Sequence, residues 1–235
     1  MRVNSLNSTA MIEIPPWSWT SYSSYQTCPF RYKVTRVTKE IVEPETEALR
    51  WGKLAHKALE DRVKDGVALQ DGMEKWEKYA RLADKMKAIA TVETERQIAL
   101  DENLVPVDYW SKDAWVRGVV DLAIKGSQVI GIWDYKTGKI RDASEQLKLF
   151  ACFAFALYPE AREVHTQYIW LNHDKITGCS YRREDLPVLW GAFEATVARL
   201  ALSYATNNWP TKPSGLCRAH CAVPKSLCKY SGRTS

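Results

Sequence analysis

Two apolar runs, residues 114–124 (AWVRGVVDLAI) and 128–136 (QVIGIWDYK), are separated only by Lys125-Gly126-Ser127. Both are rich in β-branched and aromatic residues, and the short glycine-containing link makes them a β-hairpin. Around this hairpin the hydrophobic period changes. Upstream, Leu49, Leu54, Ala58, Leu59 and Val63 recur at helical spacing, which predicts a helix over about residues 45–67 with Gly66 as its stop. Trp76, Tyr79, Ala80, Ala83, Met86 and Ile89 stripe a second helix over about 72–90. Residues 92–100 alternate as a strand, with Val92, Thr94, Arg96 and Ile98 on one side. Downstream, a helix over about 142–157 stops at Tyr158-Pro159, strands follow at 163–171 and 176–182, and a long helix spans about 184–206. A short helix starting near Ser18 or Ser21 stops at Cys28-Pro29, because a residue before proline avoids the helical region. This order predicts an α/β domain built on a small mixed β-sheet flanked by helices.

The expected organisation is an N-terminal arm (1–16), a main domain (17–210) and a Cys-rich tail (211–235). With 46% hydrophobic and 26% charged residues, the chain falls outside the disordered class. No apolar run approaches the roughly 18 residues of a membrane span, and the first residues lack a secretory signal's apolar stretch. A cytoplasmic protein with reduced thiols is expected, without a membrane partner. The net charge of +5 allows a polyanionic partner without requiring one. The ten Trp and eleven Tyr offer surfaces that can stack on bases, although most should serve packing.

The chemistry-bearing residues lie at the ends of the hairpin strands. Asp134 and Lys136 flank Tyr135 and share one strand face, while Asp121 falls on the neighbouring strand. Two carboxylates beside one ammonium suit a hard divalent cation, Mg²⁺ or Mn²⁺, with the Tyr135 backbone carbonyl as a further ligand. Such an ion polarises a phosphodiester and activates water, and the adjacent lysine orients or deprotonates that water or offsets developing charge. On the first long helix His56 and Glu60 stand four apart, on one face, and His56 can ligate a metal through a neutral imidazole. Gln146, early in the helix after Lys136, can reach the site or a phosphate.

Taken together, Gly52-Lys53-Leu54-Ala55-His56-Lys57-Ala58-Leu59-Glu60, Gly118-Val119-Val120-Asp121, Asp134-Tyr135-Lys136 and Gln146-Leu147-Lys148-Leu149-Phe150 resemble the PD-(D/E)xK nuclease superfamily, in its RecB-like exonuclease branch. The resemblance spans about residues 20–230. It implies a restriction-endonuclease-like core. His56, Asp121, Asp134 and the Tyr135 carbonyl would be metal ligands, Lys136 would activate water or stabilise the transition state, and Gln146 would position helix or substrate. Glu95, and with it Glu60, stands as an accessory acid. Arg50, Lys53, Lys139 and Lys148 are candidate phosphate contacts on DNA. One departure is Phe150, which replaces the tyrosine of the last motif. The implied activity is a metal-dependent DNA exonuclease acting in recombination, repair or end processing. The implied DNA is single-stranded or has free ends, with recombination or replication proteins as possible partners; stand-alone relatives are common in phages, which would place the enzyme in a host cytoplasm. A single-strand endonuclease of the same fold and a non-catalytic DNA-binding scaffold are the alternatives.

Of the six cysteines, Cys152 lies in an apolar helix and reads as a buried hydrophobe, and Cys179 falls on a strand. Cys217, Cys221 and Cys228 crowd into the Pro/Gly/Ser-rich tail, and short Cys spacings under reducing conditions indicate metal, with Cys28 as a fourth ligand. This pattern resembles the iron–sulfur subgroup of RecB-like nucleases, in which a [4Fe–4S] cluster ties the tail back to the N-terminal region. The C-x3-C-x6-C spacing departs from that subgroup, and His220 lies beside Cys221, which keeps Zn²⁺, or no metal at all, as the alternatives.

Overall fold

A computed structural model describes residues 14–141 and 145–232. The rest of the expected N-terminal arm and the first residues of the helix expected from Asp142 lie outside them. The described chain forms two compact units, one from residues up to Glu45 together with those from Phe193 onward, the other from Thr46 to Ala192.

The larger unit is a six-stranded mixed sheet with helices on both faces. The strands are β1 (Thr91–Leu100), β2 (Pro106–Val107), β3 (Val116–Lys125), β4 (Val129–Lys136), β5 (Glu163–Trp170) and β6 (Lys175–Arg182), in the order β2-β1-β3-β4-β5-β6. All neighbours are antiparallel except β4 and β5. That parallel pair needs a crossover, which is the helix Glu145–Leu157, numbered α5 in chain order. This helix is buried nearly all round, from Leu147 through Phe155, as its continuous apolar sequence requires.

Earlier in the chain, α1 (Trp19–Thr27) and α2 (Pro29–Tyr32) belong to the smaller unit, and α3 (Glu47–Asp65) and α4 (Glu77–Lys87) to the larger. Thr46 caps α3 by accepting the N–H of Leu49, and Gly66 ends it in the left-handed region at φ 73°. The second expected helix begins as a 3-10 turn, Glu74–Trp76, before α4 proper. Ala55, Leu59 and Val63 of α3 and Tyr79, Ala80 and Ala83 of α4 share one apolar core with Leu122, Trp133, Tyr135 and Ile169 of the sheet. Trp76 Nε1 donates to the Leu171 carbonyl at 3.0 Å, which pins the start of α4 to the end of β5. Arg62 on α3 pairs with Glu77 at 2.6 Å and Asp84 at 3.1 Å, holding the two helices together.

In the smaller unit, α1 has a capping box between Ser18 and Ser21, and it stops before Cys28-Pro29. Pro29 then starts α2 at the position where its missing N–H costs nothing, and the chain continues into a π-helical turn, Lys33–Val37. The end of α6 (Leu186–Thr206) packs here through Phe193 against Trp17 and Tyr22. Among the described residues no helix is long and apolar enough to cross a membrane.

Gly118 has a packing reason. A Cβ built there would lie 2.3 Å from Phe153 Cε2, so the bare backbone lets α5 press against β3. Gly118→Ala is expected to cost about 1–3 kcal/mol by overpacking, read as a lowered denaturation midpoint at unchanged slope. Adding Phe153→Leu should recover part of the loss.

Candidate active site

The hairpin strands β3 and β4 pair from Lys125↔Ile130 to Leu122↔Trp133 and no further. Beyond that point they part, and the acids stand at the opening. Asp121 supplies the missing acceptor itself: its Oδ2 takes the Tyr135 N–H at 2.6 Å. Its other oxygen lies 3.1 Å from His56 Nδ1, which α3 brings in from the apolar side of the sheet. Asp121 is 9% exposed, and this low-dielectric setting makes its charge felt by every neighbour.

Opposite Asp121 stands Glu95. Its flanking pairs, Thr94↔Leu122 and Arg96↔Val120, keep β1 and β3 in register, yet Glu95 itself adopts a left-handed backbone at φ 47°. Ligand atoms of His56, Glu95 and Asp121 lie within 4.8 Å of one another, the spacing of groups that share one cation. Burial raises the Glu95 pKa to about 7, and the Asp121 charge adds to the rise. For His56, burial acts downward, but the hydrogen bond and charge of Asp121 outweigh it and the net shift is up. The Asp121 carboxylate contributes to both shifts, adding to burial at Glu95 and opposing it at His56.

Asp134 is in the next layer. Among the described residues it does not join the 4.8 Å set. Instead its carboxylate is held from the other side: Lys136 Nζ contacts Oδ2, and Gln146 Nε2 donates to Oδ1 at 3.1 Å. Lys136 also donates to Gln146 Oε1 at 3.1 Å, so lysine, amide and acid close a ring. Burial pushes the Asp134 pKa up, with Lys136 opposing and Asp121 reinforcing the shift. Its Oδ2 is buried, and the Lys136 ammonium is the group that meets it.

The remaining expected residues are placed as follows. Glu60 lines the groove containing Gly52, Lys53, His56, Lys57, Glu95 and Thr137, and its carboxylate accepts from Lys57 at 3.1 Å. Lys53 lies in that groove wall, Arg50 is one turn earlier on α3, Lys139 is exposed after β4, and Lys148 is half-buried on α5. The Tyr135 backbone lies beside Asp121 through its N–H. Phe150 is buried at 3% exposure, and the hydroxyl that reaches Gln146 comes from Tyr168 on β5, at 3.3 Å. Tyr168 carried no signal in the sequence, where it is one aromatic among the apolar residues of a strand.

In the smaller unit Cys28, Cys217, Cys221 and Cys228 line one cavity of about 90 Å³, with Phe30, Leu216 and Val223. The Lys212 N–H points at Cys28 Sγ (3.5 Å) and the Ser214 N–H at Cys217 Sγ (3.3 Å). Cys152 is buried in α5 and Cys179 is exposed on β6.

A sheet that opens on paired acids, with a lysine two residues from the second, defines a nuclease scaffold. The model of the PD-(D/E)XK nuclease superfamily matches residues 16–229, and the chain belongs to that superfamily. The crystal structure of a "Putative exonuclease" from Eubacterium rectale is similar in fold, at 13% identity and a TM-score of 0.53 over 92% of this chain and 91% of that one. The crystal structure of SSO0001 aligns over 94% of this chain and 88% of that one at 16% identity, with a TM-score of 0.43. No curated protein matches in sequence.

Asp121→Ala removes the group that both His56 and the Tyr135 N–H depend on. Calorimetric titration with Mn²⁺ should show affinity reduced about 100-fold or more, with Glu95→Gln intermediate and Glu60→Gln close to wild type.

Proposed function

We propose that the protein is a Mg²⁺- or Mn²⁺-dependent deoxyribonuclease of the RecB-like branch, acting as an exonuclease on DNA ends. The observation that carries this reading is the ion-sized triad His56, Glu95 and Asp121 beside the Asp134–Lys136–Gln146 ring. The donor set, an imidazole and carboxylates, fits a hard divalent cation; the Asp134 carboxylate, on releasing Lys136, and the Tyr135 carbonyl would complete it. When bound, such a cation supplies Lewis-acid polarisation of the phosphodiester and lowers the pKa of water.

The chain's own residues do the rest. His56, Glu95 and Asp121 hold the cation side rigidly, because each comes from a different element of one packed core. Lys136 presents its ammonium at the open end of β4, where it orients the attacking water and offsets the charge that builds on the phosphorus oxygens. Gln146 keeps that ammonium against Asp134. Lys53, with Arg50 on the same helix and Lys139 and Lys148 on the far side, contacts phosphates and sets the strand's path without reading bases. The fold is shared with a "Putative exonuclease", and the role we propose is action on ends, in DNA recombination, repair or end processing.

For the smaller unit we propose a [4Fe–4S] cluster on Cys28, Cys217, Cys221 and Cys228. The four thiols face one cavity, and backbone N–H groups point at two of the sulfurs, the kind of contact that tunes such clusters. Zn²⁺ on the same thiolates, with or without His220, is the alternative. Anaerobically purified protein should absorb broadly near ~400 nm and lose the band in Cys28→Ser. A colourless, zinc-loaded protein would exclude the cluster.

End-labelled single- and double-stranded DNA and a closed single-stranded circle, each with Mg²⁺, Mn²⁺ or EDTA, test the activity. Degradation from ends, inert circles and full inhibition by EDTA are expected. Cutting of circles makes it an endonuclease, and no cutting of any DNA by intact protein rejects the nuclease reading. Lys136→Ala should lower kcat by about 10²–10³ with Mn²⁺ binding retained.

A further inference from the structure

The Gln146 amide is the joint between Lys136 and Asp134, and strand β5 holds that joint from below. Tyr168 is the register partner of Asp134 in the parallel β4–β5 pair, and it is 3% exposed. Its hydroxyl donates to Gln146 Oε1 at 3.3 Å, and its ring centroid lies 5.0 Å from Lys136 Nζ. The ring is itself braced. Trp170, two residues along β5, meets it edge-on with centroids 5.4 Å apart and planes at 61°. Trp170 Nε1 in turn donates to Thr177 Oγ1 on β6 at 2.7 Å.

A lysine ammonium rides on a flexible stem, and two hydrogen-bond partners do not stop the stem from swinging about them. A packed aromatic face does, since its quadrupole attracts the cation and its bulk removes other rotamers. The hydroxyl has a separate task. A glutamine amide turned end for end would set its NH₂ against the ammonium and its oxygen against the carboxylate. By taking the second lone pair of Oε1, the phenol fixes the amide in the plane that serves both neighbours.

We infer that Tyr168 is a positioning residue: its ring fixes the Lys136 ammonium, and its hydroxyl locks the Gln146 amide that links Lys136 to Asp134. The inference rests on the nuclease reading of this site and assigns a role to a residue outside the metal-binding and DNA-contact sets.

The test compares Tyr168→Phe, Tyr168→Leu, Gln146→Ala and the two double variants in steady-state cleavage of end-labelled DNA. Tyr168→Leu is expected to lower kcat about tenfold with KM within about twofold of wild type. Tyr168→Phe, which keeps the ring, should lose only about threefold. In the Gln146→Ala background the Phe substitution should have no further effect, while the Leu substitution still lowers kcat. A second readout needs no turnover. In metal-free buffer, acetylation of Lys136 by an N-hydroxysuccinimide ester, followed by mass spectrometry, should be at least about threefold faster in Tyr168→Leu than in wild type or Tyr168→Phe. Unchanged kcat in Tyr168→Leu, equal losses in Phe and Leu, or an acetylation rate that does not respond would each overturn the inference. Should Tyr168→Leu not fold, additivity of Tyr168→Phe with Gln146→Ala overturns it. Wild-type protein that cuts no DNA rejects the nuclease reading alone, and the acetylation arm still decides whether Tyr168 restrains Lys136.

Discussion

Carboxylates gathered in a poorly solvated corner repel one another, and the larger unit is organised around keeping them together. Asp121 is the pivot. It faces the gap where β3 and β4 separate, takes a backbone N–H from one strand and reaches an imidazole on a helix. The helix that carries His56 is clamped to α4 through Arg62, so the imidazole does not drift away from its acid. On the opposite face the absent side chain at Gly118 lets α5 settle close enough for Gln146 to touch Asp134. One side chain from α3 and one from α5 thus reach the two acids, His56 on Asp121 and Gln146 on Asp134.

That opening divides the polar residues into two working groups. One holds His56, Glu95 and Asp121, with the mutual spacing of ligands. The other holds Asp134, Lys136 and Gln146, a closed ring in which two of the three ammonium donors have partners. Separation matters because a lysine and a divalent cation repel each other. The Asp134 carboxylate meets the ammonium directly, and its charge offsets that of the amine.

Much of this was legible in the sequence. The hairpin around Gly126, the helix ended by Gly66 and the crossover helix were written in periodicity and turn chemistry, and the acids, imidazole, lysine and glutamine stood out by order and spacing. Other features were not legible, for physical reasons. The two-residue strand Pro106–Val107 is too short to show a period, and it forms only because β1 offers an edge to pair with. The π-helical turn at Lys33–Val37 has no compositional mark. Spacing along a strand set Asp134 near Asp121, but it does not reveal that Lys136 and Gln146 also contact the Asp134 carboxylate. Tyr168 became visible only once β5 lay parallel to β4, a long-range pairing that local patterning does not encode.

Glu95 carries a further consequence. A left-handed conformation in the middle of a strand suits glycine, and for a side-chain-bearing residue it stores on the order of 1–3 kcal/mol. The surrounding pairs of β1 and β3 must impose that conformation, since the residue would not choose it. The fold is therefore less stable than its own architecture permits, and glycine at this position would relax the backbone while emptying the triad of an acid. At this α-carbon the residue that suits the backbone and the residue that completes the His56–Glu95–Asp121 set are different amino acids.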